Sequence, residues 1–179
     1  MKKIVIQGDS TIKKLLPEQY DGTRKEIKKL ELDEHMFTHS KQIELVNYLY
    51  LNIETQNNKI TQKNINDKLN SYKQQDIKND IYGEIFFISL DQTLQKLVES
   101  KMKCVYCNSN IFLIYKNIRE NYQWTLDRID NNMGHNTDNV VISCLKCNLE
   151  RRNQNMNKFM FTKKLNIKKF FLLFFICFE

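Results

Sequence analysis

Two Cys-x-x-Cys pairs, Cys104 with Cys107 and Cys144 with Cys147, bracket a stretch that carries Asp127, Asp130, His135 and Asn139, and Asn148 directly follows the last cysteine. Two residues between paired cysteines is the spacing at which a tight knuckle points both thiolates at one ion. Four thiolates make a closed tetrahedral zinc site, and such a site contributes binding free energy to folding that a thin core lacks. A redox dithiol uses one pair, and the second pair argues against it. The Asp, His and Asn residues between the pairs offer a second, catalytic metal site inside the same frame. The fifth cysteine, Cys177, has no partner pattern.

Elements must hold these groups in place. Residues 122–127 alternate like a strand, 131–134 read as a turn or loop, and 139–143 as a second strand. Residues 145–155 read as a helix, with Asn148, Arg151 and Arg152 at i, i+3 and i+4 on one face. The expected core unit is therefore strand, loop, strand, helix, stapled by zinc. Upstream, Ser89 with Asp91 can cap a helix through Leu94, Leu97 and Val98 that delivers the chain to Cys104, and Phe86, Phe87 and Ile88 read as a buried run. From 41 to 57, Ile43, Leu45, Val46, Leu49, Tyr50 and Ile53 recur at helical spacing. A second helix is expected from Thr61 as N-cap, with Ile65, Leu69 and Tyr72 on one face. The pair reads as a helical platform packed on the metal domain, with a DNA-reading helix-turn-helix as the alternative.

His35 and His39 stand four apart, but no third ligand accompanies them, so they read as surface residues. The first thirty-odd residues have no clear period and are expected to be loosely held. Residues 157–169 read as a closing helix, and 170–178 are nine apolar residues, far short of the ~20 that span a bilayer. The expected division is a mainly helical region over 1–88, a zinc-containing domain over 89–165 and an apolar tail over 166–179.

The chain has 179 residues, 41% apolar and 27% charged, as in ordinary soluble domains, and its single Pro and four Gly argue against a sharply turned all-β fold. A net charge of +7 and a pI near 9.1 favour polyanionic partners, DNA or RNA. Paired cysteines without a secretory signal point to a reducing compartment, cytoplasm or nucleus, with no membrane partner.

Over residues 102–155, under a third of the chain, the sequence resembles the HNH endonuclease family, on the two Cys-x-x-Cys pairs, Asn139 five residues before Cys144, and Asn148 directly after Cys147. The resemblance implies an α+β fold: a zinc-stapled ββα-metal domain of treble-clef type, here with an N-terminal helical region. It also implies a metal-dependent DNA endonuclease in which Asp127 and Asn148 hold a catalytic Mg²⁺ or Mn²⁺ and Asn139 ties down the loop. The family's first motif is an Asp followed by a His general base. Here Arg128 follows Asp127, similar to the Asp-Arg-Ile-Asp branch of phages, large DNA viruses and mobile elements. An Arg stays protonated and accepts no proton from water. Either His135 serves as base, or the metal activates water while Arg128 stabilises the scissile phosphate. Lys146, Arg151 and Arg152 are the expected contacts to flanking phosphates. A non-catalytic zinc module that binds nucleic acid is the alternative reading of the same residues.

Overall fold

Apolar residues at helical spacing form three helices ahead of the cysteines in the computed structural model, which describes residues 32–164. They are α1 (His39–Tyr50), α2 (Asn58–Lys78) and α3 (Leu90–Glu99). The antiparallel pair β1 (Trp124–Arg128) and β2 (Val140–Cys144) follows, then α4 (Leu145–Arg151) and α5 (Met156–Lys164). The chain is thus a mixed α+β protein with a two-stranded sheet. Residues 1–31 and 165–179, which hold the terminal segment, the apolar tail and Cys177, lie outside the described residues. Among the described residues no helix is long and apolar enough to cross a membrane.

Helix α1 ends at Tyr50 because Asn52 takes a left-handed φ of 55°, so Ile53 falls outside it and is exposed. Leu45 and Val46 face the core. Helix α2 begins three residues before Thr61, which is no cap: its hydroxyl donates back to the Asn57 carbonyl inside the helix. Ile65, Leu69 and Tyr72 do lie on its inward side. Helix α3 starts with a reciprocal cap, in which Ser89 Oγ accepts from Gln92 N and Gln92 Oε1 accepts from Ser89 N. Such a cap is worth about 1 kcal/mol. The residue that closes it is Gln92, not Asp91. Phe86 departs from the expected buried run: it is 66% exposed and its neighbour Ile85 is 91% exposed, while Ile88 is buried.

One apolar core joins Leu45, Ile65 and Leu97 of the helices to Trp124, Leu126 and Ile142 of the sheet. Polar ties reinforce it. Gln42 of α1 accepts from Leu113 N and Ile114 N through Oε1 and donates to the Ile114 carbonyl at 2.6 Å. Lys68 of α2 donates to Gln123 Oε1 and to the Trp124 carbonyl, and its ammonium lies 5.0 Å from the centre of the Trp124 ring. Strand β1 is buried on both faces over its first four residues, with α2 on one side and α4 on the other. Alternation of exposed and buried residues is therefore absent from it, since neither face meets water. His39 Nε2 donates to the Met102 backbone carbonyl at 3.0 Å, whereas His35 lies in a separate 3-10 turn, Glu34–Phe37.

Candidate functional site

The two knuckles close on each other. Cys104 N donates to the Ser109 carbonyl, Asn108 N donates to the Cys104 carbonyl, and Asn108 takes a φ of 57° to complete the turn. Val105 N donates to the Ile142 carbonyl and ties this knuckle to β2, whose last residue is Cys144. Cys144 in turn caps α4, accepting from Cys147 N. The four sulfurs all lie within 4.8 Å of one another, and Cys107 Sγ stands 3.8 Å from Cys144 Sγ. Tetrahedral bonds of ~2.3 Å from sulfur to zinc place sulfurs about 3.8 Å apart. The four cysteines are positioned to bind a metal ion, and the donor set is compatible with structural zinc.

These knuckles also build the neighbouring site. Tyr106, inside the first knuckle, donates from its hydroxyl to Asp127 Oδ2 at 2.6 Å. Arg151, on the helix capped by Cys144, donates from Nε to Asp127 Oδ2 at 2.7 Å and from Nη2 to Asp127 Oδ1 at 2.8 Å. Arg151 is 1% exposed. Burial pulls its pKa down and the Asp127 carboxylate raises it by more, so it stays charged. The expectation of a free Arg151 guanidinium for DNA phosphate is corrected: its fork is spent on a buried carboxylate. A carboxylate has about four lone-pair sites, and three on Asp127 are taken, leaving one on Oδ1.

Asn148 approaches β1 from α4. Its Nδ2 donates to Thr125 Oγ1 at 3.2 Å and toward the Leu126 carbonyl at 3.4 Å, so its Oδ1, without a hydrogen bond among the described residues, is the group left for a ligand. Asn139 holds the loop between the strands: its Oδ1 accepts from Asp130 N, and its Nδ2 donates to the carbonyls of Asp130 and Gly134, each at 2.9 Å. Asp130 Oδ1 accepts from Asn132 N and Asn132 Nδ2, a loop-capping arrangement.

His135 is 2% exposed. Its Nδ1 stands 2.7 Å from Asp76 Oδ1, its backbone N–H donates to Asp76 Oδ2 at 2.6 Å, and its ring stacks on Tyr72 with centroids 4.5 Å apart. Burial lowers its pKa from the ordinary value; Asp76 opposes that shift and the nearby Arg128 charge adds to it, which favours the neutral imidazole. Arg128 Nη1 lies 3.8 Å from Asp76 Oδ1 and donates to the Met133 carbonyl.

A cavity of about 350 Å³ gathers Asp127, Arg128, His135, Asn148 and Arg152 on one wall system. An adjoining hollow of about 700 Å³, rich in carboxamides, shares Arg128 and contains Arg151. The expected common face of Asn148, Arg151 and Arg152 does not form. Helix α4 stops at Arg151, and Arg152 takes φ 51° and ψ −118°, which turns it toward the first cavity while Arg151 turns inward. Lys146 is exposed on α4 but lines neither cavity.

Sequence reasoning passed over Asp76 and Tyr106, and read Tyr72 only as part of a helix's apolar face. Asp76 carried a usable signal, since it lies on the same helical face as Ile65, Leu69 and Tyr72 and is a charged residue where that face is buried. Tyr106 carried none. No protein-family model, curated protein or solved structure matches the chain.

Proposed function

We propose that the protein is a metal-dependent endonuclease of HNH type that hydrolyses DNA phosphodiester bonds, with a structural Zn²⁺ on Cys104, Cys107, Cys144 and Cys147. The observation that carries this reading is the cavity lined together by the buried His135, Asp127 and Asn148 beside the two arginines Arg128 and Arg152.

In this reading His135 Nε2 takes a proton from water, the resulting hydroxide oxygen bonds to phosphorus, and the bond from phosphorus to the 3′ oxygen breaks, with solvent protonating the departing oxygen. Arg128 and Arg152 hold the non-bridging phosphate oxygens. Asp127 Oδ1 and Asn148 Oδ1 would hold Mg²⁺ or Mn²⁺, a hard cation that commonly takes one or two protein oxygens and keeps water and phosphate for the rest. Bound there, such a cation would supply charge stabilisation to the phosphate. With His135 as base, Arg128 no longer stands where a base is required; its charge faces the phosphate.

The second reading, a zinc module that binds nucleic acid without cutting it, draws support from the hold of Arg151 and Tyr106 on Asp127, which occupies most of that carboxylate. Plasmid nicking with Mg²⁺ or Mn²⁺ separates the two. The wild type is expected to cut, and Asp127→Ala, Asn148→Ala and His135→Ala each to lose on the order of 10²-fold or more in rate. A zinc-loaded wild type that retains DNA but cuts it under no divalent metal leaves the binding module as the reading.

A further inference from the structure

The loop that carries His135 is seated on the end of α2, an element outside the zinc-stapled unit. Tyr72 and Asp76 are one turn apart on that helix and so share a face. Tyr72 Oη accepts from Leu126 N of β1, which ties the helix to the strand, and its ring covers the imidazole. Asp76, fully buried, reaches both the backbone N–H and the Nδ1 of His135. The seat is close enough to require Gly134. A Cβ there would lie 2.6 Å from the Ile81 carbonyl oxygen and 2.9 Å from Asp76 Oδ2. A carboxylate only accepts, so this contact puts a proton on Nδ1, and in the neutral imidazole that leaves the lone pair on Nε2. No described residue hydrogen-bonds to Nε2, and His135 lines the cavity.

We propose that Asp76 is a positioning residue that fixes the Nδ1–H tautomer of His135 and aims its unprotonated Nε2 at the cavity, so that α2 completes the catalytic centre. The role in catalysis rests on the nuclease reading; the tautomer does not. Arg128 Nη1 lies 3.8 Å from the same Asp76 Oδ1 and adds its charge to the carboxylate's surroundings. A carboxylate that orients a histidine is worth from about 10-fold to 10⁴-fold in related constellations.

The test uses the full-length, zinc-loaded chain. Long-range proton–nitrogen NMR reads the tautomer of each of its three histidines, with His135→Gln assigning the signal. The wild type is expected to show His135 protonated on Nδ1. Asp76→Asn is expected to show a mixed or inverted tautomer and a kcat for nicking lower by about 100-fold, with KM for DNA unchanged. Gly134→Ala, whose Cβ would crowd the Ile81 carbonyl and push the loop off its seat while the Asp76 side chain is retained, is expected to lower kcat in the same way. A wild-type His135 protonated on Nε2 overturns the proposal, and this arm needs no variant to fold. So does an Asp76→Asn protein with unchanged tautomer and kcat, while active wild type keeps the nuclease reading intact. A wild type that cuts nothing, yet holds the Nδ1–H tautomer and loses it in Asp76→Asn, upholds the seat and overturns the nuclease reading.

Discussion

Asp127 sits between two roles. Arg151 and Tyr106 satisfy it as a buried structural carboxylate, and the lone pair left on Oδ1 is what a cation would use. Removing one partner of a buried pair leaves the other charged and unpaired, which costs about 3–5 kcal/mol. Arg151→Ala is therefore expected to destabilise the zinc-loaded protein by about that much. The double variant Asp127→Ala with Arg151→Ala should lose less than the sum of the two singles, with a coupling of roughly 1–3 kcal/mol. Denaturant unfolding of the four proteins measures it, and simple additivity would mean the two side chains do not act as a pair. Asp127 stood out in the sequence because of its residue type and motif. Arg151 looked like a surface cation, because nothing in a helix of alternating charge tells which arginine turns inward.

Among the elements, α4 is the one whose ending shapes the site. Its last residue is Arg151, and Arg152 then adopts φ 51° with ψ −118°, a region that L residues other than glycine rarely occupy. Strain of this kind is worth about 1–3 kcal/mol and persists where the surrounding structure fixes the residue. Arg152→Gly is expected to stabilise the fold by about 1 kcal/mol while weakening DNA binding and flattening its salt dependence by one phosphate contact. A loss of stability, measured by thermal unfolding, would show that the arginine side chain contributes more than its backbone costs. The helical period of 145–155 was legible, but this early stop was not, because it has neither Gly nor Pro to mark it. Helix α2 illustrates the reverse. Its stripe of Ile65, Leu69 and Tyr72 was readable by period, and extending that stripe one turn leads to Asp76.

For the whole molecule, three of the four cysteines, Cys104, Cys144 and Cys147, share a continuous core with the helices and the sheet. The first knuckle delivers Tyr106, and the second starts the helix that delivers Arg151, so both supports of Asp127 depend on the same metal site. Structural zinc contributes on the order of 10 kcal/mol in small zinc domains. Chelation, or Cys104→Ser, is accordingly expected to unfold α1 to α3 together with the sheet in one cooperative step, followed by circular dichroism alongside zinc content. Helices that keep their full signal after the metal has gone would mean that they fold apart from it. A Cys104→Ser protein that still folds with one equivalent of zinc would count heavily against the four-thiolate site. Local spacing was enough to reveal the paired cysteines, the strand–loop–strand–helix order and the amphipathic helices, because knuckles and helical faces depend on residues a few positions apart. Packing was needed to bury Arg151 against Asp127 and to seat His135 on Asp76, since those partners are 24 and 59 residues apart in the chain. It also left Ile85 and Phe86 in solvent, because a short apolar run has no periodicity that says which of its residues meets the core.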